Sequence, residues 1–217
     1  SKGRPDVKWD IHYAEDGVLP NPGAYISDGW SKGSNESANQ WDDLHQLFIT
    51  MNSASGTGYL EQISGVVDVD QWARWFAYMT IVLSRETNLS NGTDDDYKFY
   101  SGAEDGRFKL IPHDFDTIFG LGDTSTNPEA TLFPPITNFG GQTFPPLVSF
   151  FNDPRIVRLY YAHLRELLGT VFAKGNFDAA VVNFLGWVPQ NSGIHEDIVS
   201  FMDTRRAHIL AQISGEF

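Results

Sequence analysis

The chain has 217 residues, 41% of them hydrophobic, enough to bury one substantial core. Lys and Arg number 15 against 28 Asp and Glu, and a net charge of −13 disfavours nucleic-acid or anionic-membrane partners. The absence of cysteine excludes disulfides, thiolate metal sites and a cysteine nucleophile, and no apolar run approaches the ~20 residues of a membrane span.

The first residues, Ser1 to Pro5, begin abruptly, so upstream sequence is expected. Residues 1–40 are rich in Gly, Ser, Asn and Pro, and read as a loop-rich leading segment with a strand-like touch at Val7–Ile11. From Trp41 the pattern changes. Trp41, Leu44, Leu47, Phe48 and Met51 recur at helical spacing, while Asp42 and Asp43 suit the positive N-terminus of a helix. A turn at Ser55–Gly58 follows. Asp68 is placed to cap a second helix, whose buried face is Trp72, Trp75, Phe76, Met79, Thr80 and Leu83 and which runs to about Ser84.

Residues Arg85 to Asp96 then form a polar loop with no core-forming pattern. Tyr97–Tyr100 and Arg107–Ile111 alternate as the strands of a hairpin turned by Gly102–Gly106. Residues 113–146 read as a long loop, ordered by its apolar residues Ile118, Phe119, Leu132, Phe133 and Phe144. The last third is helical, near Leu147–Phe151, Pro154–Val171, Phe177–Trp187 and Gly193–Ile213, with Asp153 before Pro154 as a start signal.

The residues able to carry chemistry concentrate in 86–116. Glu86, Asn88, Asn91, Asp94, Asp95 and Asp96 lie in the loop before the hairpin, and His113, Asp114 and Asp116 lie just after it. Paired strands set their open ends about 5 Å apart. Carboxylates drawn together in that way repel unless a cation lies between them, and oxygen-only donors suit Mg²⁺ or Mn²⁺. The competing reading of Asp94–Asp96 is a solvated turn. Asp114 follows an apolar strand and precedes Phe115, Ile118 and Phe119, so a half-buried position is expected for it; Asp116 serves equally well as a cap.

Val67–Ala77, Asn91–Tyr100 and Phe108–Asp116, in this order, resemble the spore-coat-protein-H-type (CotH) kinase family, and Arg205–Ile213 is similar to that family's last helix. The resemblance implies an α+β, helix-rich, atypical protein-kinase-like C-lobe whose small β-hairpin carries the acidic site. It makes residues 1–217 one domain, whose N-lobe would precede residue 1, and an enzyme when that lobe is present. The implied activity is transfer of the γ-phosphoryl group of ATP to Ser/Thr hydroxyls of a protein substrate, with Mg or Mn, outside the cell or at its surface. Residue by residue, Asp114 matches the Asp that holds metal on the nucleotide phosphates. Asp96 falls at a second metal position, with Asp116 beside them. Glu86 is the candidate base and Asp94 its reserve. The chain lacks a Gly-rich phosphate loop with a downstream Lys.

Two readings compete with the kinase. The acidic loop could hold Ca²⁺ in a non-catalytic adhesion or surface-assembly module, or the carboxylates could serve a glycosidase with Trp30 or Trp41. The six scattered histidines form no zinc motif, and the serines lack a hydrolase setting. Arg155, Arg158, Arg165, Arg205 and Arg206 are expected in surface ion pairs, and Trp30, Trp41 and Trp187 in the core.

Overall fold

The computed structural model describes residues 9–84, 97–122, 127–133, 144–189 and 193–213. Asn21 opens α1 (Pro22–Ser27) by accepting the Ala24 N–H, with proline at the first turn where its missing donor costs nothing. α2 (Asp42–Ser53) buries the expected stripe of Leu44, Leu47, Phe48 and Met51, and adds His45. The predicted turn at 55–58 contains a single 3₁₀ turn, Gly56–Gly58, which leads into α3 (Tyr59–Ser64). α1 lies in the segment read as loop and α3 in residues to which the sequence pattern assigns no element; six residues span fewer than two turns, too few to display a period. Residues 9–11 form no strand, and Trp9 instead has φ +53° with its ring buried.

α4 (Val69–Val82) is the central helix. Asp68 caps it by accepting the Gln71 N–H at 3.2 Å, and Leu83 ends it in a left-handed conformation. The Asp68 carboxylate also sits 3.8 Å from Arg107 and 3.9 Å from Lys109. Asp68→Ala is expected to cost about 1 kcal/mol and to lower the unfolding midpoint by roughly 2–4 °C, read by thermal melting.

β1 (Tyr97–Ser101) and β2 (Phe108–Pro112) form a two-stranded antiparallel sheet with Tyr97 opposite Pro112 and Ser101 opposite Phe108. Gly106, at φ +68°, closes the turn, and Gly102 donates to the Arg107 carbonyl at 2.9 Å. The core face of the hairpin joins an aromatic cluster. Trp72 and Trp30 both stack on Phe99, and Trp9 stacks on Phe48 while meeting Trp72 and Phe144 edge-on.

The remaining helices are α5 (Pro145–Asn152), α6 (Pro154–Gly169), α7 (Lys174–Leu185) and α8 (Ile194–Ile213). Asp153 caps α6 as predicted, accepting Arg155 N–H at 2.8 Å, and α6 makes the broadest packing with α4. α8 corrects the reading of Arg205. Its guanidinium is fully buried and donates to the carbonyls of Thr80, Pro128 and Ala130. Arg155 and Arg206 do form the expected ion pairs, with Asp153 and Glu61 and with Asp203. Trp30 and Trp41 are core residues, whereas Trp187 is 81% exposed at the end of α7.

His45 shows what burial does to a base. The Tyr25 hydroxyl accepts the His12 main-chain N–H and is hydrogen-bonded to His45 Nδ1 at 2.6 Å, and Tyr13 lies edge-on against the ring. Desolvation holds the His45 pKa below its ordinary 6.5, against the opposing pull of Asp42. The unfolded chain therefore binds more protons below about pH 6.5 than the folded one, so this contribution is complete above that pH and lost as pH falls. The unfolding midpoint should drop from pH 7 to pH 5, with a shallower slope in His45→Gln.

Candidate functional site

β2 delivers the chain to Asp114. The strand is held on its outer side by α4: the Gln71 side chain accepts the Leu110 N–H at 2.9 Å and donates to the Leu110 carbonyl at 2.8 Å, acting as a substitute strand. Phe108 donates to the Val66 carbonyl at 2.8 Å and accepts from Asp68 N–H and Trp72 Nε1. The point at which Asp114 leaves the sheet is thereby tied to the N-terminal half of α4.

Asp114 is exposed, not half-buried as expected, and it has φ +59°. A residue other than glycine in the left-handed region carries a cost of about 1 kcal/mol, and such positions concentrate where a side chain must be aimed. Asp116, two residues on, is also exposed. The intervening and following residues anchor the segment. Phe115 meets Tyr78 edge-on, Thr117 is buried, and the Phe119 N–H donates to the Val82 carbonyl at the end of α4. The Phe119 ring packs on Phe177 of α7 and Phe201 of α8. The burial expected for Asp114 falls instead on Thr117, because the left-handed turn at Asp114 breaks the strand's alternation before the chain goes back in.

Gly122, at φ +97°, completes this loop, since a Cβ there would lie 2.4 Å from the Asp116 carbonyl oxygen. The close return of the chain against Asp116 requires glycine. Thr117 and Gly122 were not singled out from sequence; the signal available was the Gly120–Leu121–Gly122 run just after the acidic motif.

Glu86, Asp94 and Asp96 lie outside the described residues. The register places Tyr97, the residue after Asp96, opposite Pro112, two residues before Asp114. Among the described residues no group of three or more His, Asp or Glu side chains is gathered closely enough to form a metal cage. The donor set nonetheless fits a hard cation carried on phosphate: Mg²⁺ keeps most of its shell in water and phosphate oxygens, and takes one or two carboxylates from protein. Asp114 and Asp116 supply exposed carboxylates of that kind.

A cleft of about 840 Å³ opens on the other side of the hairpin, between β1 with its turn and the segment from Trp30 to Leu44. It was not foreseen from sequence, because its walls come from segments more than fifty residues apart. No helix among the described residues is long and apolar enough to cross a membrane.

Comparison with known proteins supports the resemblance. The inner spore coat protein H of Bacillus subtilis (strain 168) is 27% identical over 77 residues, 36% of this chain and 20% of that protein. The chain thus spans about a fifth of the length of this relative. The family model described as CotH kinase protein matches residues 17–186, which takes in α1 through α7 and the hairpin with Asp114. The chain belongs to the CotH kinase protein family.

Proposed function

We propose that this chain is part of an atypical protein kinase that transfers the γ-phosphoryl group of ATP to serine and threonine hydroxyls of proteins, in a C-lobe-like arrangement. The observation that carries the reading is Asp114, an exposed carboxylate in a left-handed backbone at the exit of the hairpin, within a chain of the CotH kinase protein family. Asp114 would hold Mg²⁺ or Mn²⁺, with Asp96 assisting and Asp116 adjoining. Bound there, the cation neutralises charge on the phosphates.

The rest of the chemistry belongs to the protein's own groups. Glu86, or Asp94 in its place, would accept the acceptor hydroxyl's proton as that oxygen bonds to the γ-phosphorus and the bond to the β-phosphate oxygen breaks. The Phe115 and Phe119 anchors would keep Asp114 in register with that centre, since a displacement of about 1 Å costs orders of magnitude in rate. The similarity to a spore coat protein supports a location at a cell or spore surface.

The test is calorimetric titration of ATP into the chain, with Mg²⁺, with Mn²⁺ and with chelator. Binding that requires the metal is the expected result. Binding indifferent to chelator overturns the reading, as does none in both this chain and one extended upstream.

A further inference from the structure

The two outer edges of the hairpin are treated differently. On β2, the groups of Phe108 and Leu110 that point away from β1 are satisfied by Gln71, Val66, Asp68 and Trp72. On β1 the outward groups are not. Gly102 bonds to Arg107 across the ladder, so the alternation of an antiparallel pair makes Tyr100 and Lys98 the next bonded positions. The N–H and C=O of Phe99 and Ser101 therefore point outward, and neither residue's main chain has a hydrogen-bond partner on that side among the described residues. An open edge of this kind is a template for another strand.

That edge borders the cleft, which is lined continuously by Lys98 to Ala103 on one side and by Trp30 to Asn35 on the other. Its wall includes the buried Trp30, whose indole N–H has no acceptor, a donor left for a main-chain carbonyl. Charge narrows the occupant. Lys32 donates only to the Gln40 carbonyl, and neither Lys32 nor Lys98 meets a carboxylate among the described residues. Among the described residues Asp43 is the one acidic lining residue, and its carboxylate accepts the Leu44 N–H. On a chain of net charge −13, the described lining of this cleft has two ammonium groups to one carboxylate.

We infer that the outer edge of β1 binds an extended peptide of alternating apolar and acidic residues as a third strand of the sheet. Successive side chains of such a strand point to opposite faces. The apolar set falls on the Trp30, Trp41 and Leu44 wall, on the core side of Phe99 where Trp30 stacks. The acidic set falls on the opposite face, beside Lys98 and Tyr100. Main-chain bonds supply affinity and the alternate pockets supply selectivity. This binding is independent of phosphoryl transfer and needs neither ATP nor metal.

The experiment uses the full chain and an acetylated, amidated hexapeptide of alternating valine and glutamate, with amide hydrogen exchange followed residue by residue. The Phe99 and Ser101 amides exchange rapidly in the free chain and slow on addition of peptide. Ser101→Pro removes one outward donor and no ladder bond, and weakens binding about tenfold, the equivalent of one hydrogen bond. A second hexapeptide, of alternating valine and lysine, should bind the unaltered chain more weakly, and Lys98→Glu, a surface change, should invert that preference. Unchanged exchange at Phe99 and Ser101 with peptide present overturns the proposal, and so does equal binding of the two peptides to the unaltered chain. Protection that rises with protein concentration in the absence of peptide overturns it in favour of pairing between copies.

Discussion

Asp114→Asn is expected to lower the affinity for ATP in the presence of Mg²⁺ or Mn²⁺ by about a hundredfold or more while shifting the unfolding midpoint by less than about 2 °C. Residues that merely orient a metal ligand cost about 10–100-fold in metal affinity when changed, so removing the charged ligand itself sets the loss at the top of that range or above it. Asparagine keeps the shape and one oxygen but loses the negative charge, and hard cations bind carboxylate oxygen far better than a neutral amide. The backbone makes asparagine the informative choice. At φ +59° an L-residue is strained, and Asn and Asp tolerate that region better than others. Asp114→Ala would add about 1 kcal/mol of backbone strain to the loss of the ligand and confuse the two. Calorimetry with metal and thermal melting without it separate them. ATP binding that survives Asp114→Asn would remove the residue from the site while leaving the family membership intact.

Arg205→Met should be the most damaging single change among the described residues, costing about 3–5 kcal/mol and lowering the unfolding midpoint by roughly 6–20 °C. The guanidinium is fully buried, and desolvation draws its pKa down to about 10, so it stays charged at neutral pH. It is balanced by carbonyl oxygens: Thr80 near the C-terminal end of α4, 3.0 Å from Nε and 2.9 Å from Nη2, with Pro128 and Ala130 on the segment that crosses over it. The C-terminal end of a helix carries partial negative charge, which suits a cation. Methionine preserves much of the volume, so the loss measures three carbonyls left without donors rather than a cavity. Tyr160 holds the same segment from the other side, donating to the Leu132 carbonyl at 3.0 Å. The 127–133 segment should therefore become protease-sensitive in the variant, read by limited proteolysis. A midpoint shift below about 2 °C would mean that water reaches those carbonyls.

α4 was legible for local reasons. Asp68 caps by bonding three residues ahead, and the apolar face repeats within one helix, so every determinant lies within fifteen residues. The hairpin was legible in the same way, from alternation on either side of a glycine turn. The carboxylates of the candidate site could be read as a group because chain order alone sets Asp114 and Asp116 at the exit of that hairpin. Glu86, Asp94 and Asp96 remain assignments by resemblance, outside the described residues.

Arg205 was misread because a charged residue on an amphipathic helix ordinarily faces water. Its burial depends on where α8 meets the end of α4, more than a hundred residues away in sequence. Asp114 was expected in a half-buried position because the strand's alternation was carried past Pro112, and the left-handed turn cancels that extrapolation. The edge of β1, open among the described residues, had no sequence signature at all. By itself the sequence determined what is local and periodic: the helix caps, the apolar stripes, the hairpin and the acidic character of its exit. Among the described residues, the tertiary structure alone decided which charges are buried, which strand edge stays open and which distant segments wall the cleft, because desolvation and main-chain pairing depend on neighbours that sequence spacing does not reveal.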